Sequence, residues 1–347
     1  MQAFMYDDTG NFCLKNVHAP KARSNSGIIK IESASICGTD IRAFRFGSSK
    51  IKPPRIIGHE VVGTIVEIGS DVKNFKIGDR VQIAPALGCG ICHYCKQGYT
   101  NLCDNLKTIG FDFDGSFAEY MEVPSEAFER DNMTIIPRHL NSIEAVLAEP
   151  IACIINAQAY LNISEGDFVA VFGSGFIGIM HAELAYCKGA SAVFMIEVNE
   201  ERINKAKSIL PDIIAINSNI ESVKDIIDKY SGGRGVDVVI TACSAGSAQA
   251  DAMNIIAKRG RISLFGGLPN ESIGFIDSNI IHYKEVSVFG AHASTAAQNR
   301  EALEMIAAEK LSVKPFVNDV FPLNDIVTDF EALNKEQITK AILVPSV

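Results

Sequence analysis

Four thiols fall within fifteen residues of this chain, at Cys89, Cys92, Cys95 and Cys103, in a loop that also holds Gly88, Gly90 and Gly98. Four thiolates closing a tetrahedron around Zn²⁺ leave no open position, so such a site is structural rather than catalytic. An iron–sulfur cluster draws on the same ligand type. Zinc is favoured because nothing else in the chain suggests electron transfer. Disulfides are not expected: the cysteines number nine, an odd count, and the start, Met1-Gln2-Ala3-Phe4-Met5-Tyr6-Asp7-Asp8, is neither basic nor apolar enough for an export signal. A second set is dispersed along the chain, with Cys37 in Cys37-Gly38-Thr39-Asp40, His59 in Gly58-His59-Glu60 and Glu149 in Ala148-Glu149-Pro150. One thiolate, one imidazole and one carboxylate suit a catalytic zinc, whose fourth position stays open for water or substrate. Spacing alone does not join them. A lone Cys is usually a small core residue, a lone His a hydrogen-bonded one and a lone Glu a solvated one.

Nucleotide chemistry is written at residues 173–178. The run Val169-Ala170-Val171-Phe172 leads into Gly173-Ser174-Gly175-Phe176-Ile177-Gly178 and then an apolar helical stretch. Gly173 permits the tight turn, Gly175 lets a pyrophosphate approach the backbone, and Gly178 lets helix and strand pack closely, while the helix N-terminus offers N–H groups to phosphate. Nineteen residues past Gly178, the next apolar run ends at Glu197. A carboxylate there accepts the ribose hydroxyls and repels a 2′-phosphate, which favours NAD over NADP. Ile177, inside the turn, and Arg202, five residues past Glu197, are assigned to the same site.

These groups need two kinds of scaffold. Before residue 150, short β-branched runs (27–34, 61–68, 80–84) separated by Gly and Pro predict a mostly antiparallel β domain. From about Phe168, apolar runs at 168–172, 192–197, 213–216, 236–241, 261–265 and 286–289 alternate with stretches of helical period such as 177–187 and 201–210. That alternation predicts a doubly wound parallel sheet of six strands. The tail, 299–347, holds one helix (300–309) and short strands, and is too small to fold alone. A chain of 347 residues exceeds the roughly 250–300 at which single cores stop growing, so two domains are expected. The net charge of −9 lacks the footprint of a nucleic-acid binder, and no apolar run reaches the ~18 residues of a membrane span. The expected partner is a small-molecule substrate, and the expected location is the cytoplasm.

Taken in order, Cys37-Gly38-Thr39-Asp40, Gly58-His59-Glu60, the four-cysteine lobe and the glycine turn resemble the zinc-dependent medium-chain dehydrogenases, and the resemblance covers essentially the whole chain. It implies an α/β protein: a GroES-like, mostly β catalytic domain at 1–150 and 292–347 with a structural-zinc lobe at about 85–105, a Rossmann NAD-binding domain at 151–291, and a cleft between them. It also implies two zinc ions per chain, with Cys37, His59 and Glu149 on the catalytic one, Glu60 alternating with water as fourth ligand, and Cys89, Cys92, Cys95 and Cys103 on the structural one. Thr39 becomes the first acceptor of the substrate proton. Assembly as a homodimer or homotetramer is expected. A carboxylate rather than a thiol at position 149 is similar to the polyol (sorbitol-like) and threonine dehydrogenase branch. The implied activity is oxidation of a secondary alcohol of a polyol or polyol phosphate to a ketone, with hydride passing to NAD. An L-threonine 3-dehydrogenase-type activity is the rival enzyme reading. A zinc protein without activity is disfavoured by the retained ligands.

One segment departs from the resemblance. Many relatives carry a proton-relaying His five residues after the zinc Cys, and this chain has Arg42 there. A guanidinium, with a pKa above about 12, cannot shuttle protons near neutrality. Arg42 opens a run with Arg45, Lys50, Lys52 and Arg55 that contains no acidic residue before Gly58. It reads either as a solvated or subunit-covered basic loop, or as a rim in which Arg42 and Arg45 hold the phosphate of the substrate.

Overall fold

The structure is a computed structural model describing residues 1–7, 11–269, 272–334 and 339–345, and its contacts divide the chain into two units, Met1–Ala152 with Ala293–Val347, and Cys153–His292.

In the first unit the central strand is Gly27–Ser35, which pairs antiparallel with Glu60–Ile68, Tyr120–Val123 and, from the far end of the chain, Ile342–Val344. Strands Arg80–Ile83 and Met133–Ile135 extend one side of this sheet, and Val320–Pro322 lies parallel to Ile342–Val344 on the other. Alternating side chains (Ile29, Ile31, Val61, Ile65, Val81 and Ile83) fill a core with Met121 and Val123. A second cluster seats helix Gly38–Phe46 against helix Ile326–Asn334: Ala43, Phe330 and Leu323 are buried in it, and the rings of Phe44 and Phe330 stack with centroids 4.8 Å apart. That packing fixes the helix that begins immediately after Cys37.

The second unit is a six-stranded, all-parallel sheet in the order Ile214–Asn217, Ala192–Glu197, Phe168–Phe172, Val236–Thr241, Ile256–Leu264, Ser287–Gly290. Counted along the chain the order is 3-2-1-4-5-6, with the direction of winding reversing between the Phe168–Phe172 and Val236–Thr241 strands. Its central strands are buried on both faces, Val169, Ala170 and Val171 being fully inaccessible, as their continuous apolar runs require.

Two elements differ from the sequence expectation. The tail helix spans Ala296–Ala307 rather than 300–309, because Thr295 and Gln298 form a capping box that starts it earlier. The strand expected at 261–265 begins at Ile256, directly after helix Gly246–Ile255. Residues 257–260 are looped out of register with the Val236–Thr241 strand, and Arg259 there adopts φ 58°.

Candidate functional site

Strand pairing brings the dispersed set together. Ser35 is the register partner of Glu60, so Cys37, two residues past one strand, and His59, one residue before the other, leave the sheet at the same end. Cys37 is the N-cap of helix Gly38–Phe46, its sulfur accepting the Thr39 N–H at 3.5 Å. The ligand atoms of Cys37, His59 and Glu60 all lie within 4.8 Å of one another. Asp40 orients two of them: Oδ2 accepts the Cys37 N–H at 3.0 Å, and Oδ1 stands 3.4 Å from His59 Nδ1. Burial alone would lower the pKa of His59, but the charges of Asp40 and Cys37 outweigh it and push it well above its ordinary value. Glu60 is fully buried, and its Oε1 has no hydrogen-bond partner. A thiol, an imidazole and an unpaired buried carboxylate oxygen at such separations suit a divalent cation. The Asp40–His59 contact is the outer-shell hold that such a His ligand usually has.

The four-cysteine lobe is built from backbone donors. The N–H groups of Cys89 and Asn105 point at Cys103 Sγ (3.1 and 3.2 Å), that of Cys92 at Cys89 Sγ (3.3 Å) and that of Cys95 at Cys92 Sγ (3.5 Å). All four sulfurs lie within 4.8 Å of one another, and no cysteine of the chain is in a disulfide. The N–H groups of Cys95 and Asp104 pull the Cys92 thiol down to about 6, whereas burial pushes Cys95 up to about 12. A bare cluster cannot carry four thiolates, and a dication at its centre removes that conflict.

In the second unit the glycine turn leaves the Phe168–Phe172 strand where the winding reverses, with Gly173 at φ 99°. A Cβ on Gly178 would come 1.8 Å from the Gly173 carbonyl oxygen, so only glycine lets helix Phe176–Cys187 start this close to the strand. A Cβ on Gly175 would meet nothing within 4 Å, and no side chain caps this helix. The open, uncapped N-terminus is a cradle for a pyrophosphate. Glu197 closes the turn from the neighbouring strand. Its Oε2 accepts the Ser174 N–H at 2.9 Å, and its Oε1 accepts those of Val198 and Asn199 at 2.8 and 3.2 Å. Burial opposes ionisation, but these donors and Arg202, whose Nη1 is 3.8 Å away, hold the carboxyl below its usual range. Ile177 is half-buried in the first turn of the helix.

Comparison with known proteins decides what these sites belong to. The family model described as "Alcohol dehydrogenase GroES-like domain" matches residues 23–130, and the one described as "Zinc-binding dehydrogenase" matches residues 177–308. The sorbitol dehydrogenase of Halalkalibacterium halodurans is 30% identical over 97% of this chain and 96% of its own length. The chain is a zinc-dependent medium-chain dehydrogenase. Among other relatives of this dehydrogenase, an L-threonine 3-dehydrogenase from Caldanaerobacter subterraneus subsp. tengcongensis is 32% identical over 94% of this chain and 93% of that protein. The crystal structure of 2R,3R-butanediol dehydrogenase from Bacillus subtilis superposes with a TM-score of 0.89 at 26% identity, covering 99% of both chains. The dehydrogenase is therefore an oxidoreductase that uses zinc and a nicotinamide dinucleotide.

Three positions in the dehydrogenase differ from, or add to, what its sequence suggested. Glu149, expected as the third ligand, is buried in the first turn of helix Ala148–Ala159, and Glu60, expected as the fourth, is the carboxylate within 4.8 Å of the Cys37 and His59 ligand atoms. Burial pushes Glu149 up to about 7, while His59 draws it down and Glu60 raises it further, so it lies within electrostatic reach of the set. Lys340 was not foreseen; it pairs with Glu60 from the opposite end of the chain. The role of Asp40 was not foreseen either, although Cys37 and Asp40 stand at the N-cap and N3 spacing of a capping box. Arg42 and Arg45 lie exposed on the Gly38–Phe46 helix, as Thr39 does, and Arg45 rests on the Phe46 ring at 5.0 Å. Among the described residues neither has an ion-pair partner, and of the basic run Arg55 alone does, with Asp114 at 3.0 Å. No helix among the described residues is long and apolar enough to cross a membrane.

Proposed function

We propose that the dehydrogenase oxidises a secondary alcohol of a polyol, free or phosphorylated, to the ketone, passing hydride to NAD and the hydroxyl proton to solvent. The observation that carries this reading is the Cys37–His59–carboxylate group at the mouth of helix Gly38–Phe46, because a thiolate, an imidazole and one carboxylate leave a fourth position for a hydroxyl. Zinc bound there supplies the positive charge that lowers the pKa of the substrate hydroxyl. Cys37, His59 and Glu60 or Glu149 hold it, and Asp40 keeps the first two in place. Thr39, two residues past Cys37, accepts the departing proton; its residue is exposed, so the proton passes straight to water and needs no imidazole at position 42. The N-terminus of helix Phe176–Cys187 takes the pyrophosphate, and Glu197 takes the ribose and selects NAD. A threonine-type activity is the second reading, supported by the 32% identity to an L-threonine 3-dehydrogenase. A screen of polyols, polyol phosphates and threonine, followed by NADH formation, separates the two. Turnover of none of them with zinc present would remove both.

The unpaired arginines bear on which polyol is used. They share the exposed side of the helix with Thr39 and Phe46, Arg42 about 7.5 Å along the axis from Cys37 at 1.5 Å per residue. A charge-assisted hydrogen bond to phosphate is worth roughly 1.5–3 kcal/mol, about ten- to a hundredfold in affinity. Arg42→Ala and Arg45→Ala are therefore expected to raise KM for a polyol phosphate by that factor and leave KM for the free polyol almost unchanged. An unaltered ratio of the two KM values would show that the arginines belong to a solvated face.

The same reading places the enzyme in the cytoplasm as a homodimer or homotetramer. The assembly is supported by one edge strand of the parallel sheet, Ser287–Gly290, together with exposed Ile273 and Tyr283 earlier in the same unit. Sedimentation equilibrium showing a monomer at micromolar concentration would exclude the assembly.

A further inference from the structure

The first unit holds a cavity of about 570 Å³, and none of the residues lining it belongs to the metal or nucleotide sites described above. It lies between the hairpin of Gln2–Tyr6 and Phe12–Asn16, the strand Tyr120–Val123 and the stretch 107–114. Its volume falls within the roughly 300–1,000 Å³ of small-molecule sites. The floor is apolar and adaptable: Met5 and Phe113 pack on a core that includes the buried Met121. Around that floor, charges of both signs stand in loose pairs. Lys107 Nζ is 3.6 Å from Glu126 Oε1, and Arg23 Nε is 3.5 Å from Glu122 Oε1, both too long for good hydrogen bonds. Lys107 also stands over the Phe113 ring, 5.4 Å from its centroid. Burial opposes ionisation of Glu126, but its own backbone N–H, Lys107 and Ser125 hold the carboxyl below its usual range. Pairs this exposed add little to stability, so an occupant that takes over both partners costs the fold little. Three Lys or Arg and four Asp or Glu line the cavity in all, which favours neither a simple anion nor a simple cation.

We propose that this cavity binds a free α-amino acid with an apolar side chain. The ligand's carboxylate takes Lys107 and its ammonium takes Glu126, because the two charges of an amino acid hang on one carbon and match the close spacing of that pair. The side chain lies on Phe113, Met5 and Met121. A carboxylic acid or an amine alone would satisfy one member of the pair and leave the other without a partner beside an apolar body.

The experiment titrates the full, zinc-loaded chain with L-phenylalanine, L-leucine and L-methionine, followed by calorimetry and by ligand-observed NMR. At least one of the three is expected to bind with a Kd of about millimolar or below. Lys107→Met and Glu126→Gln should each weaken that binding about tenfold or more, the worth of one charge-assisted hydrogen bond. Both side chains are partly exposed, so both variants should fold. The deaminated and decarboxylated analogues of the amino acid that binds should each bind about tenfold more weakly than the parent or worse. Cys37→Ser should leave the affinity unchanged, because the catalytic set takes no part. Binding by none of the three amino acids overturns the proposal, as does an affinity that either charge variant leaves intact. An analogue that binds as tightly as its parent, or binding that disappears in Cys37→Ser, overturns it as well.

Discussion

Cys37→Ser is expected to abolish turnover while leaving a folded chain that still binds NADH. The substitution removes a thiolate from the catalytic set but keeps a side-chain oxygen able to cap helix Gly38–Phe46, so the helix start survives. Losing a cation's stabilisation of a developing oxyanion costs several kcal/mol, which corresponds to about a thousandfold or more in rate. Cys95→Ser is expected to behave in the opposite way. A structural zinc contributes its binding free energy to folding, an apparent value of about 10–16 kcal/mol in zinc-finger peptides, so even partial loss should loosen the lobe at residues 89–103 and lower the Tm. Metal analysis should fall from two zinc ions per chain to one in each variant, with activity lost first in Cys37→Ser and stability first in Cys95→Ser. The reverse pattern would mean that the two sites have been assigned the wrong way round.

The second large effect is expected at Glu197. Glu197→Ala removes the acceptor for the ribose hydroxyls and the repulsion against a 2′-phosphate, and it leaves Arg202 facing the same space without that carboxylate. The ratio of kcat/KM with NAD to that with NADP should fall more than tenfold, which is about 1.4 kcal/mol or more of lost discrimination. Because Glu197 also accepts the Ser174 N–H, the glycine turn should loosen, and affinity for both nucleotides should drop somewhat. Glu197→Gln, which keeps the size and one acceptor oxygen, is the control for that second effect. If the ratio stays unchanged in Glu197→Ala, the ribose sits elsewhere.

Much of this molecule is legible in its sequence because its chemistry is local. The strand Phe168–Phe172, the turn Gly173–Gly178 and the acid Glu197 lie within one β-α-β unit, and their residue types suffice to define the nucleotide site. The four cysteines close on one another within a single loop, so spacing alone groups them. What escaped depends on pairing between distant segments. Residue spacing does not show that Glu60 stands beside Cys37 and His59; the resemblance places it there, and the register of two adjacent strands brings it. Lys340 lies 280 residues from Glu60 and carries no local signal of its task. Helix Ala296–Ala307 begins four residues before its expected start because apolar periodicity marks a helix body, while the Thr295–Gln298 box marks its beginning.

The pairing of Gly27–Ser35 with Ile342–Val344 bears on how the enzyme is made in the cell. The strand that leads to Cys37 is synthesised well before one of its hydrogen-bonded neighbours, which follows the whole nucleotide-binding unit. The nucleotide-binding unit, Cys153–His292, is continuous in sequence and can fold while the tail is still being translated. The catalytic unit must wait with one edge of its central strand uncovered, and such an edge is a template for wrong pairing. Lys340 is made 280 residues after Glu60, so the buried carboxylate gains its counter-charge only after the whole nucleotide-binding unit has been synthesised. A chain stopped before Lys340 would therefore lack both a strand and a charge at the metal pocket, although Cys37, His59, Glu60 and Glu149 would all be present.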